Sequence, residues 1–269
     1  MMHKGELLII GGNEDKYDHV TILEKFVTLA KIKGGKVGIL TTATSYPKEV
    51  SEDYMKVFHD LGLENMVVLD VDSKEKSECP DILKLGEKLG ALFITGGDQS
   101  RLADYIGGTK LHQLLLDKWE KGMLIAGTSA GASIMGKHMI VSSVTKDEDE
   151  ILQVEIDKGF GLLPNLLIDQ HFSQRARFDR LLGAIADQPD LMGIGIDENT
   201  AILVKEDRFE VLGEHQVLII DGKESDFVKV STTEDGSDEL TLTNFKLHTL
   251  TSGFGFDLTE RKLIKKENH

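Results

Sequence analysis

Five short aliphatic runs, ELLIIGG, KVGILTTA, NMVVLDV, ALFITGG and MLIAG, alternate with four amphipathic segments through the first half of the chain. The segments HVTILEKFVTLAKIKG, EDYMKVFHDLGL, DILKLGEKLG and KLHQLLLDKWEKG space their apolar residues as helices do, and the short runs read as strands. Strands separated by helices of this length imply a parallel sheet covered on both faces, hence an α/β fold. Several of these strands end in small residues, as in IIGG, TTAT and ITGG. In open α/β sheets, the crevice beyond the carboxyl ends of the strands is where ligands bind.

The second half changes character. After NLLIDQHFSQRARFDRLLGAIADQP come short runs between charged turns, MGIGI, TAILVKE, RFEVLG, QVLIIDG and FVKVSTT, which predict an antiparallel meander completing or flanking the sheet. No Pro- or Gly-rich linker separates the halves, so residues 1–269 read as one domain. The acidic TKDEDEI reads as a solvated loop near the site, and the polar tail ERKLIKKENH is expected to fray.

Composition narrows the function classes. A formal net charge of −15 argues against a nucleic-acid partner. The single cysteine, Cys79, excludes an internal disulfide and a cysteine zinc cluster. No apolar run approaches a membrane span or a signal peptide, which makes a cytoplasmic location the default. Neither glycine-rich turn matches a dinucleotide or P-loop pattern, and no metal-ligand spacing stands out.

Chemistry concentrates at Gly127-Thr128-Ser129-Ala130-Gly131, a G-x-S-x-G between an apolar strand and a small-residue helix. That pattern puts a serine on a sharp turn with its hydroxyl projecting, and gives Ala130 a free amide for a developing oxyanion. A structural turn or a phosphate cradle is the bland alternative. A serine needs a base. Of nine histidines, His171 stands where the strand NLLID ends, crowded by Asp169, Gln170, Arg175, Arg177 and Arg180. Arginine forks suit carboxylates, although exposed arginines more often solvate or pair with acids. The turn GIGIDENTA offers Asp197 and Glu198 as the orienting acid; strand alternation points them opposite ways, with Glu198 favoured. The order serine, histidine, acid differs from the α/β-hydrolases, which fit only if a later histidine such as His215 or His248 is used. In FITGGDQSRL, the Gly97 amide is the candidate second oxyanion donor and Gln99 a candidate hydrogen-bonder to substrate.

These pieces together resemble the cyanophycinase branch of the peptidase-E-like serine peptidases. GGNEDK, ITGGDQ, GTSAGAS, DQHFSQRARFDRL, GIGIDENTA and HTLTSGFGFDL carry the likeness over almost the full length. The resemblance implies a glutamine-amidotransferase-like α/β fold and cleavage of cyanophycin, a poly-aspartate bearing β-linked arginine, into β-Asp-Arg dipeptides. It implies Ser129 as nucleophile, His171 as base and Glu198 as triad acid. Gln99, Asp169, Gln170, Arg175, Arg177 and Arg180 match its substrate-pocket positions. It further implies a homodimer acting on a peptide-like polymer with no metal or organic cofactor. Two departures are Ala176, where glycine is expected between the arginines, and Asn13, where a small residue is more usual. The competing readings are an aspartyl dipeptidase or other peptidase of the same fold, and a non-catalytic module that binds small molecules or peptides.

Overall fold

The computed structural model describes residues 3–144, 153–232, 234 and 238–265. All five aliphatic runs of the first half form strands: β1 (Leu7–Ile10), β2 (Lys36–Leu40), β3 (Met66–Leu69), β4 (Leu89–Ile94) and β5 (Leu124–Thr128). They pair in parallel in the order β1-β5-β4-β2-β3. The four amphipathic segments become α1 (Thr21–Lys33), α2 (Pro47–Asp60), α4 (Pro80–Glu87) and α6 (Lys110–Glu120). Two further helices, α3 (Lys74–Ser77) and α5 (Gln99–Ile106), fill the connections around them.

Beyond β5 come the four-residue helix α7 (Ala130–Ser133) and then β6 (Gly136–Val144), β7 (Gln153–Lys158), β8 (Leu163–Gln170) and β9 (Met192–Ile196). A 3₁₀ turn (Ser173–Arg175) and α8 (Phe178–Asp187) lie between β8 and β9. These strands build a second sheet, in which β9 runs parallel to β8. The expected meander is therefore divided among three sheets. Strands β10 (Thr200–Lys205) and β11 (Arg208–Gly213) return to the first sheet, β10 antiparallel to β1 and β11 antiparallel to β10. Strand β12 (Val217–Asp221) goes to the second, antiparallel to β9.

Strands β13 (Phe227–Thr232) and β14 (Asp238–Thr243) form a separate hairpin, and β15 (Lys246–Leu250) edges the second sheet. Strands β16 (Gly255–Asp257) and β17 (Lys262–Ile264) extend the first. The expected fraying thus fails for residues 262–264, whose backbone pairs with β16, and residues 266–269 lie outside the described residues. The acidic loop at 145–151 also lies outside them.

Alternation along β1 shows how the layers stack. Leu8 and Ile10 join Phe26, Phe58 and Phe93 in the core under α1 and α2. Leu7 and Ile9 join Ile168, Ile194, Ile196 and Ile219 of the second sheet. The far face of that sheet is covered by α8 through Leu167, Leu181 and Ile185. Each such buried side chain contributes about 1.5–3 kcal/mol. Successive side chains point oppositely along a strand, so the parity of β8 matters for the site. Asp169 follows Leu167 toward α8, and Gln170 follows Ile168 toward the first sheet.

Candidate active site

Ser129 stands at the junction of β5 and α7 with φ 53° and ψ −113°, a conformation ordinary serines avoid. Packing holds it there. Its N–H donates to Ile10 O at 3.1 Å, and a Cβ on Gly127 would lie 2.2 Å from Gly131 O. The turn is thus pressed against itself and projects the hydroxyl into the crevice between the two sheets. Gly96 forms the facing wall, where an added Cβ would sit 3.2 Å from Ser129 Cβ. Gly97 beside it has φ +140° and packs onto the Ala43 carbonyl, leaving no room for a side chain. The Ala130 amide begins α7, where no carbonyl one turn earlier can accept it.

His171 follows β8 directly, in the left-handed region at φ 49°, with its N–H on Gly11 O at 2.8 Å. Its Nε2 lies 2.9 Å from Ser129 Oγ, and its Nδ1 lies 2.6 Å from Glu198 Oε1. A carboxylate only accepts, so Nδ1 carries the hydrogen and Nε2 faces the serine as acceptor. Burial, opposed by the Glu198 hydrogen bond and helped by the charge of Arg175, holds the imidazole pKa below its ordinary value. Burial pushes Glu198 up, but hydrogen bonds from Asn13 and His171 outweigh it and keep that carboxyl below the usual range.

Asp197 does different work. Its carboxylate accepts from the Ser173 N–H at 2.9 Å and the Gln216 N–H at 3.3 Å, fixing the loop after His171. His248, the alternative base for a serine–acid–histidine order, packs edge-on against Phe256 at 5.1 Å between ring centroids. His215 lines the cleft described below.

The remaining pocket candidates divide by strand parity. Gln170 is buried, with Oε1 3.5 Å from Ser129 Oγ. Asp169, 1% exposed, points toward α8 and binds the Arg180 guanidinium and Arg177 Nη1. Burial lowers the Arg177 pKa to about 10, with Asp169 opposing that fall. A buried carboxylate needs such partners. Asp169 therefore shapes the loop after β8 from behind, with its charge met inside the protein. Arg175 stands exposed at the end of the 3₁₀ turn, and Ala176 beside it is left-handed at φ 49°. Gln99 opens α5 and donates from Nε2 to Ile140 O at 2.8 Å, joining that helix to β6.

Sequence reasoning missed what the loop after β1 does. Gly12 O accepts from the Asn199 N–H at 3.0 Å, and Asn13 Nδ2 donates to Glu198 Oε2 at 2.9 Å. Glu14, buried, accepts from Thr128 Oγ1 at 2.6 Å and from the Tyr54 hydroxyl. Burial and the neighbouring Glu14 charge raise the Tyr54 pKa well above its usual value. Gln174, also missed, accepts the Glu198 N–H on Oε1 at 3.1 Å. The glycine pair was the visible signal, but its partners lie more than a hundred positions away.

A cleft of about 710 Å³ opens beside Ser129, lined among others by Asn13, Asp15, Tyr17, Gln174, Glu198 and Glu214. A cavity of about 740 Å³ lies elsewhere, beside Trp119, Leu163 and Arg261, and touches no member of the Ser129–His171–Glu198 chain. Among the described residues no group of three His, Cys, Asp or Glu side chains converges as metal ligands would. No described helix is long and apolar enough to cross a membrane.

Residues 7–212 match the family model described as Peptidase family S51. The chain belongs to peptidase family S51. This S51 chain is 34% identical over 252 residues to a cyanophycinase of Geminocystis herdmanii, covering 93% of itself and 92% of that protein. It is also 34% identical over 264 residues to a cyanophycinase of Trichormus variabilis, covering 97% and 88%. Among solved structures, a peptidase from an acI-B1 Actinobacterium superposes with a TM-score of 0.70 at 23% identity, covering 95% of this chain and 98% of that one. That likeness shows the fold, α/β with parallel core strands flanked by helices. The chain is a serine peptidase of cyanophycinase-like type.

Proposed function

We propose that this S51 peptidase is a serine-type exopeptidase that hydrolyses cyanophycin to β-Asp-Arg dipeptides through an acyl-enzyme. The observation that carries the catalytic part is the imidazole of His171, within hydrogen-bonding distance of both Ser129 Oγ and Glu198. The substrate assignment is supported by cyanophycinase relatives at 34% identity spanning nine-tenths of the chain. In this reading His171 Nε2 takes the hydroxyl proton as Ser129 attacks the α-peptide carbonyl of an aspartyl residue. The Gly97 and Ala130 amides receive the oxyanion, where losing one donor costs about 10²–10³ in turnover. The imidazolium, held by Glu198, returns its proton to the departing amine, and water then releases the acyl group by the reverse route. Gln99 and Gln170 hydrogen-bond the substrate, and Arg175 meets its carboxyl groups. Asp169, Arg177 and Arg180 hold that wall of the pocket in shape.

Incubating purified protein with cyanophycin and, separately, with Asp-X dipeptides tests the assignment. Accumulation of β-Asp-Arg from the polymer is expected. Release of free aspartate from dipeptides with the polymer left intact would overturn it in favour of a dipeptidase.

The pH dependence has a defined sign. The base must be neutral, and its pKa is lowered, so kcat/KM is expected to hold on acidification past the ordinary imidazole value of roughly 6.5 before falling. Arg175→Gln removes a cation that disfavours the imidazolium, so the acid limb moves to higher pH. Because Arg175 is exposed, the shift shrinks with added salt. A downward shift, or none at low ionic strength, would contradict the electrostatic account.

A further inference from the structure

We propose that Asn13 is a positioning residue for the triad acid, a role that rests on the Ser129–His171–Glu198 reading above. Glu198 lies in a turn past the end of β9, with a quarter of its side chain exposed, so no strand neighbour fixes its carboxylate. The last torsion of a glutamate is broad, and a single hydrogen bond to one oxygen leaves the carboxylate plane free to swing. Here the two oxygens are held separately, Oε1 by His171 Nδ1–H at 2.6 Å and Oε2 by Asn13 Nδ2–H at 2.9 Å. The amide orientation follows from the partner, since a carboxylate offers only acceptors.

Asn13 is itself fixed. Its φ of 46° is left-handed, a region asparagine enters more readily than most residues. On either side of it, Gly12 O accepts the Asn199 N–H and the Asp15 N–H donates to Asn199 Oδ1, both at 3.0 Å. The loop after β1 is thus tied to the very turn that carries Glu198. A neutral amide suits the position. A second carboxylate would repel Glu198, and a full cation would compete with the imidazolium for it.

The test is a double-mutant cycle read by the pseudo-first-order rate at which a fluorophosphonate probe labels Ser129, followed by intact mass. Asn13→Ala is expected to slow labelling about tenfold, the scale of one hydrogen bond to a charged group. In an Glu198→Ala background the same substitution is expected to change nothing, because its route of action is gone. The downfield proton resonance of the His171–Glu198 hydrogen bond supplies a second reading that needs no activity, and it is expected to shift or broaden in Asn13→Ala. Equal slowing in both backgrounds, or a wild-type rate and an unmoved resonance in Asn13→Ala, would overturn the proposal. Failure of wild-type protein to label at Ser129 would instead remove the triad reading, and the positioning role with it.

Discussion

Ser129→Ala is expected to abolish hydrolysis, lowering kcat on the order of 10⁶-fold, as loss of the nucleophile does in serine peptidases whose three groups act as a unit. The hydroxyl's contacts are His171 Nε2 at 2.9 Å and Gln170 Oε1 at 3.5 Å. Neither holds the fold together, and alanine accepts the same backbone no worse than serine. The variant should therefore melt within about 1 kcal/mol of the wild type. Intact mass after fluorophosphonate treatment checks the assignment directly: one adduct on the wild type and none on the variant. Turnover above about a thousandth of wild type would require a different nucleophile.

Gly12→Ala is expected to cut activity on the order of 10²-fold or more, from a residue with no chemistry of its own. A Cβ at this position would stand 2.4 Å from His171 Cε1 and 2.5 Å from Nε2, well inside van der Waals contact. The backbone there has φ +101°, so the substitution also strains the chain. The imidazole cannot stay between Ser129 and Glu198, and displacement by about 1 Å costs on the order of 10²-fold or more in rate. Backbone strain adds a stability loss of roughly 1–3 kcal/mol. Single-turnover acylation and thermal melting separate the two effects: acylation should fall far more than the fraction folded. A variant that acylates at the wild-type rate would mean the ring tolerates the methyl, and the loop does not set its position.

The residues explain why some of this was readable and some was not. Aliphatic runs such as LFI and LIA in β4 and β5 announce a sheet buried on both faces, and their small-residue ends mark the crevice. Ser129 and His171 each sit just beyond such a run. The second sheet was not legible, because MGIGI of β9 and TAILVK of β10 look alike as buried strands, yet they belong to different sheets. Only a turn of three residues separates them, and nothing in its composition reports that the chain changes layer there. Asp169 illustrates a local limit. Its crowding by arginines was visible, but the side of β8 it occupies depends on which face α8 covers. Asn13 shows the converse, since an amide among acids in GGNEDK signals nothing until Glu198, 185 positions later, is brought against it.

In the proposed mechanism the attacking hydroxyl follows a strand of one layer and its proton acceptor follows a strand of the other, joined across 42 positions of chain. Hydrolytic competence is therefore a property of completed assembly. A polypeptide that has made its helices and hairpins without docking the layers carries an inert alcohol and an idle imidazole. Activity of the proposed kind can appear only once the two sheets have docked.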